Sequence, residues 1–172
     1  MRASNGSLVT VPWNSVSIPS DPATYQQRAT TEQIEDYINA KGMTSRTNYL
    51  VWTDLYRQRT YVFQKVDDRW TLIRDILCST GKNITPTPRG TYQLQSYVPY
   101  FGVSKGYMCK NAVQFMGDYL FHSILFDQTG SYLLEGRGIL GVRASQGCVR
   151  FSPEESEWFY GTLPLGTTVW IN

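Results

Sequence analysis

Cys148 follows a glycine in the run Ser145-Gln146-Gly147-Cys148-Val149-Arg150. A thiol attacks carbonyls well once it loses its proton, but with a pKa of about 8.5 a free cysteine is only a few per cent thiolate at pH 7. It therefore needs a base. The chain holds one histidine, His122, upstream of the cysteine in a run with strand character. A glycine beside the nucleophile lets backbone N–H groups approach a reacting carbonyl closely. Nucleophile, base and oxyanion donors together would perform acyl transfer. One cysteine with one histidine is not by itself a site, because most cysteines are buried small hydrophobes.

The other two cysteines, Cys78 and Cys109, lack the Gly-Cys setting. Cys78 ends a strand-like run before Ser79-Thr80-Gly81, and Cys109 lies near a later one. We read both as unpaired thiols. No CxxC or HxxxH pair is present, so no zinc site, and no metal or organic cofactor, is expected.

The elements that must position these groups are mainly β. With 172 residues, the chain suits one domain with a short appendage. A hydrophobic fraction of 41% excludes a disordered tail protein. Sixteen Lys and Arg against fourteen Asp and Glu leave +2, too balanced for electrostatic nucleic-acid binding. Mean hydropathy is −0.33 and no apolar run approaches the ~20 residues of a membrane span. Twelve tyrosines fit a β-rich chain.

Residues 1–45 read as a linker or arm. Within them, Thr30 and Gln33 match a capping box, Ile34, Tyr37 and Ile38 form an apolar stripe, and Gly42 ends a short helix. From residue 46 the texture is short strands: 49–52, 60–63, 71–77, 92–95, 113–116, 119–126 and 167–171. Ser79 to Gly90 is a loop ordered by prolines. A second helix starts at Ser152 with Pro153 at its first position and Glu155 closing a capping box, and Gly161 and Pro164 stop it. Between His122 and Cys148, the turn Asp127-Gln128-Thr129-Gly130 and Gly136, Gly138 and Gly141 suggest a mobile cap, or a plain surface hairpin. Tyr119 and Trp170 read as core, and Tyr100 and Tyr107 as groove-lining or exposed loop aromatics.

Several blocks, in order, resemble the L,D-transpeptidase catalytic domain, the YkuD-type family of cell-wall cross-linking enzymes. They are Gly117-Asp118-Tyr119-Leu120-Phe121-His122-Ser123, then Ser145, Gly147, Cys148, Val149 and Arg150. Upstream, Cys78-Ser79-Thr80-Gly81-Lys82 and Thr85-Pro86-Thr87-Pro88-Arg89-Gly90-Thr91-Tyr92 are similar to the family's S-T-G and T-P-x-G stretch. Downstream, Trp158-Phe159-Tyr160 and Leu163 to Val169 resemble its last helix and strand. The variant looks like the Gram-positive, clostridial version. The resemblance implies a mainly β fold, a YkuD-like sandwich of mixed sheets with one or two short helices, over residues 46–172.

It also implies roles. Cys148 would be the nucleophile, His122 its base, and Ser123 would orient the imidazole through its carbonyl. The N–H groups of Gly147 and Cys148 would form the oxyanion hole, with Ser145, Gln146 and Arg150 supporting the site. Arg150 would either read a substrate carboxylate or brace the loop by a salt bridge. Gln146 stands where the family has a histidine, and a glutamine hydrogen-bonds but does not titrate. The implied partners are peptidoglycan stem peptides, with carbapenems as inhibitors. The expected activity is 3→3 cross-linking, the alternatives an L,D-carboxypeptidase or a wall-binding domain silenced by Gln146. A papain-like hydrolase fits less well, since there the cysteine precedes the histidine. A wall substrate further implies an exported protein whose leader is absent from this chain.

Overall fold

The computed structural model describes residues 29–134 and 139–172. Residues 1–28 of the expected arm, and Gly136 and Gly138 of the expected cap, lie outside them. Helix α1 (Thr31–Ala40) has the full capping box: Thr30 Oγ1 accepts from the Gln33 N–H, and Gln33 Oε1 accepts from the Thr30 N–H. Gly42 follows its end at φ +60°.

Two sheets carry the rest. Strands β1 (Tyr49–Asp54), β2 (Arg59–Val66) and β3 (Arg69–Leu77) form the expected antiparallel meander. The β2–β3 hairpin turns on Asp67 and Asp68, both at positive φ, which matches the twist of the strands it joins. β4 (Gly90–Gln93) and β10 (Thr168–Ile171) complete the first sheet in the order β3-β2-β1-β10-β4, with β1 and β10 parallel. The second sheet holds β5 (Ser96–Phe101), β6 (Tyr107–Met116), β7 (Tyr119–Ser123) and β9 (Val149–Phe151), with β8 (Phe126–Asp127) paired to β6. β7 and β9 run parallel. The architecture is the expected mainly β fold of two mixed sheets with two helices.

Alternation sends one face of each sheet into a shared core. Val51, Val62 and Val169 from the first sheet meet Val113, Phe115, Phe121, Val149 and Phe151 from the second. Phe159 of helix α2 (Pro153–Thr162) closes it, with its ring 4.8 Å from Phe121 and 5.2 Å from Phe151. A smaller cluster forms where α1 lays Ile34 and Ile38 on the outer face of the first sheet, against Leu50, Trp52, Tyr61, Phe63 and Trp70.

Local expectations are corrected in four places. Glu155 donates its N–H to the Ser152 hydroxyl, but its carboxylate turns to Arg74 at 2.9 Å, so the second capping box is only half made. Gly161 lies inside α2, which ends before Pro164. The run 119–126 is broken into β7 and β8, because Ile124 turns its N–H to Phe151 and the Ser123 carbonyl goes to a side chain. Tyr119 and Trp170 are half-buried at the margins of the two clusters rather than inside them.

Candidate active site

β7 and β9 set His122 and Cys148 on neighbouring strands, with Cys148 just before β9. Their register pairs Phe121 with Val149, His122 with Arg150 and Ser123 with Phe151. Val149 and Phe121 face the core. By period-two alternation, His122 and Arg150 share the opposite face, and so does Cys148, one residue before β9 begins. Cys148 is half-buried, and its Sγ lies 3.6 Å from the Asp118 carbonyl of the β6–β7 turn.

His122 is 3% exposed. Its Nδ1 lies 2.6 Å from the Ser123 carbonyl oxygen. A carbonyl only accepts, so Nδ1 carries the proton and Nε2 keeps its lone pair. Ser123 is itself fixed: its hydroxyl donates to the Ile124 carbonyl and accepts from the Lys110 N–H, both at 2.8 Å. The Phe101 ring stands edge-on to the imidazole, 5.0 Å between centroids at 88°. Burial lowers the His122 pKa to about 4, opposed by the bond to Ser123 and assisted by the positive charge of Arg150. Burial raises the Cys148 thiol, partly offset by a Leu120 N–H and by Arg150. Both groups therefore rest neutral near pH 7, as thiol and imidazole.

A hydrogen-bonded brace holds the cysteine's turn. The Ser145 hydroxyl donates to the Cys148 carbonyl at 2.6 Å and accepts from the Gly147 N–H at 3.0 Å. The Gly147 N–H, expected in an oxyanion hole, is thus engaged by Ser145. The Cys148 N–H meets no acceptor among the described residues. Gly147 sits at φ +120°, and a Cβ there would run into the Tyr119 ring. Only glycine combines that backbone with that close approach.

The Ser79–Gly90 segment supplies the other half of the brace. The buried Thr87 hydroxyl accepts from the Gly81 N–H and donates to the Gly147 carbonyl, both at 2.8 Å. Lys82 N–H donates to the Ser145 carbonyl, and Ala144 and Ser145 N–H to that of Thr80. Thr80 is held by Gln58, buried at positive φ, whose amide also reaches the Leu55 carbonyl. Gly81 admits no Cβ because the backbone of Thr85 to Thr87 crosses directly over it.

The remaining predicted residues fall differently. Gln146 is exposed and hydrogen-bonds to no described residue. Arg150 is half-buried, its charge felt by His122, Cys148 and Cys109. Cys78 and Cys109 are buried free thiols, each pushed up to about 12 by burial. Tyr100 is exposed, and the Tyr107 ring lies over Gly102. The described part of the expected cap is tied down: Asp127 accepts from the Ser131 and Tyr132 N–H groups, and Lys110 Nζ donates to the Gly130 carbonyl. Sequence reasoning missed Phe101, since Pro99 and the flanking Gly102 obscured β5. It quoted Thr87 within a motif but gave it no role.

Three relatives frame this arrangement. YciB of Bacillus subtilis, which is assigned to the L,D-transpeptidases, is 26% identical over 132 residues, 71% of this chain and 66% of that protein. A Clostridium acetobutylicum structure, a fused Zn-dependent amidase, peptidase and peptidoglycan-binding-domain protein, is 32% identical with a TM-score of 0.69, covering 83% of this chain and 59% of that one. An L,D-transpeptidase structure from Mycobacterium smegmatis shares the fold at 22% identity and a TM-score of 0.57, covering 73% of this chain and 58% of that one. The chain thus spans less than two thirds of each relative. The model of the L,D-transpeptidase catalytic domain matches residues 48–171, most of the chain and every element from β1 to β10, and the protein belongs to that family.

Proposed function

We propose that this domain cross-links peptidoglycan stem peptides 3→3 through a thioester on Cys148. The observation that carries the proposal is the Nδ1–H of His122 donating to the Ser123 carbonyl, on a strand in register with the one that Cys148 immediately precedes. That bond leaves Nε2 as an acceptor on the cysteine's face of the sheet.

The thiol attacks the carbonyl of the stem's third residue while Nε2 takes its proton. The thiol is raised and the imidazole lowered, so proton transfer accompanies attack and no thiolate–imidazolium pair forms beforehand. The Cys148 N–H receives the developing oxyanion, and the Gly147 N–H joins it by turning from Ser145. When the C–N bond breaks, His122 returns the proton to the departing amino group of the terminal D-residue. An amine of a second stem then gives its proton to His122, attacks the thioester and expels the thiolate, which recovers that proton. Water in place of the amine would give the carboxypeptidase reaction.

The exposed position of Gln146 supports an active enzyme over a silenced one: the missing imidazole falls outside the bonds that orient His122 and brace Cys148. Other family structures carry imipenem or a faropenem-derived adduct, and we extend β-lactam acylation to Cys148 here. The substrate places the working enzyme outside the membrane. The test is incubation with disaccharide-tetrapeptide, read by mass spectrometry. A cross-linked dimer lacking one terminal D-residue, absent with Cys148→Ala, supports the proposal. A tripeptide product alone favours hydrolysis, and no product with intact protein contradicts both.

A further inference from the structure

His122 is almost fully buried, yet it lies only two strands in from a sheet edge. β5 is the outermost strand of the second sheet, and its last residue, Phe101, is half-buried. The Phe101 ring meets the imidazole with centroids 5.0 Å apart and planes at 88°. A phenyl ring neither donates nor accepts an ordinary hydrogen bond, so what it brings to the base is bulk and dryness.

The strand end that carries this ring is fixed. Phe101 pairs in register with the buried Cys109 on β6. Gly102 follows at φ +94° and opens a short 3₁₀ turn, Val103–Lys105. The Lys105 and Tyr107 N–H groups both donate back to the Gly102 carbonyl. The Tyr107 ring closes on the bare Cα of Gly102, where any Cβ would collide with it.

We propose that Phe101 is a positioning residue of the active site: its ring walls the His122 imidazole from water and so keeps the base uncharged. Burial is the largest influence that lowers this histidine. The charged and titratable groups around it are Arg150, its register partner on β9, with Cys148 before that strand, Cys109 on β6 and, beside Cys148, Asp118 of the β6–β7 turn. The Lys110 ammonium is engaged by the Gly130 carbonyl and the Phe126 ring. Replacing Phe101 removes none of these charges, and it leaves the Ser123 carbonyl in place. What it changes is access of water to the imidazole.

His122 is the single histidine of the chain, so its titration is read directly from the one imidazole signal in a proton NMR spectrum of the whole chain. Wild type is expected to titrate at about 4. Phe101→Ala and Phe101→Gln should raise that value by about one unit or more, and Phe101→Tyr, which keeps the ring, should leave it near wild type. Phe101→Gln keeps bulk at this half-exposed edge and carries the test should the alanine variant not fold. The acid limb of carbapenem acylation should move up with the titration in the same variants. That second readout rests on the reading of His122 as the base of Cys148; the NMR titration does not. A wild type that titrates near 4 but is never acylated would count against the proposed function alone. A shift below about 0.3 unit in both Phe101→Ala and Phe101→Gln overturns the proposal, as does a rise in Phe101→Tyr equal to theirs. A merely structural role for Phe101 would lower the melting temperature and move neither curve.

Discussion

The imidazole of His122 is oriented by the residue next to it: its Nδ1 donates to the Ser123 carbonyl across 2.6 Å. No carboxylate is needed for this, and the bond also coincides with the end of β7. The imidazole stays neutral, because burial disfavours its charged form and Arg150 opposes it. Replacing the imidazole should therefore remove proton transfer and little else. His122→Asn, whose amide can still donate to Ser123, is expected to lower the acylation rate by about 10²–10⁴ while the protein remains folded by circular dichroism. A loss under tenfold would mean another base serves.

The resting thiol should lack low-pH reactivity. With Cys148 raised and His122 near 4, alkylation by iodoacetamide should rise with pH through neutrality and keep rising beyond pH 8. A plateau beginning near pH 6 would reveal a preformed ion pair instead.

The same histidine ties stability to pH. Its pKa falls from an ordinary 6.5 to about 4 on folding, so between those values the unfolded chain holds a proton that the folded chain refuses. Its contribution is fully present above 6.5 and is lost as pH falls to 4, by a total of about 3 kcal/mol. Denaturant unfolding at pH 7 and pH 4 should show this loss in wild type and a smaller one in His122→Asn.

Thr87 bridges two segments distant in sequence, from the Gly81 N–H to the Gly147 carbonyl. Thr87→Val keeps its shape and strands both partners, at a cost of about 1–3 kcal/mol. Carbapenem acylation should slow with it, and Thr87→Ser should restore both. Full acylation by Thr87→Val would show that the cysteine's turn holds without the brace.

Gln146→His restores the residue type usual in the family at an exposed position that bonds to no described residue. Stability should change by less than about 0.5 kcal/mol, and acylation by less than tenfold. A much larger gain in rate would make Gln146 the limit on this enzyme.

The Gly-Cys turn, the lone histidine and the meander were legible in the sequence because each rests on neighbours in the chain or on a single residue type. The parallel pairings of β1 with β10 and β7 with β9 leave no local mark. Nor do the bonds from Thr87 to Gly147 or from Gln58 to Thr80, which join residues far apart. Strand β5 was hidden by Pro99, tolerated because the strand lies at the sheet's edge. With it went Phe101 and its contact to His122. The Gly147 and Cys148 N–H groups were expected as oxyanion donors from the motif alone, and only the structure reveals that Ser145 already occupies the Gly147 N–H.

The most direct test of the account is the intact mass of the protein after incubation with a carbapenem, wild type beside Cys148→Ala. The account predicts one covalent adduct on wild type, mapped by peptide digestion to Cys148, and none on the variant. An unmodified wild type, or an adduct that persists on Cys148→Ala, would contradict the claim that Cys148 is the activated nucleophile.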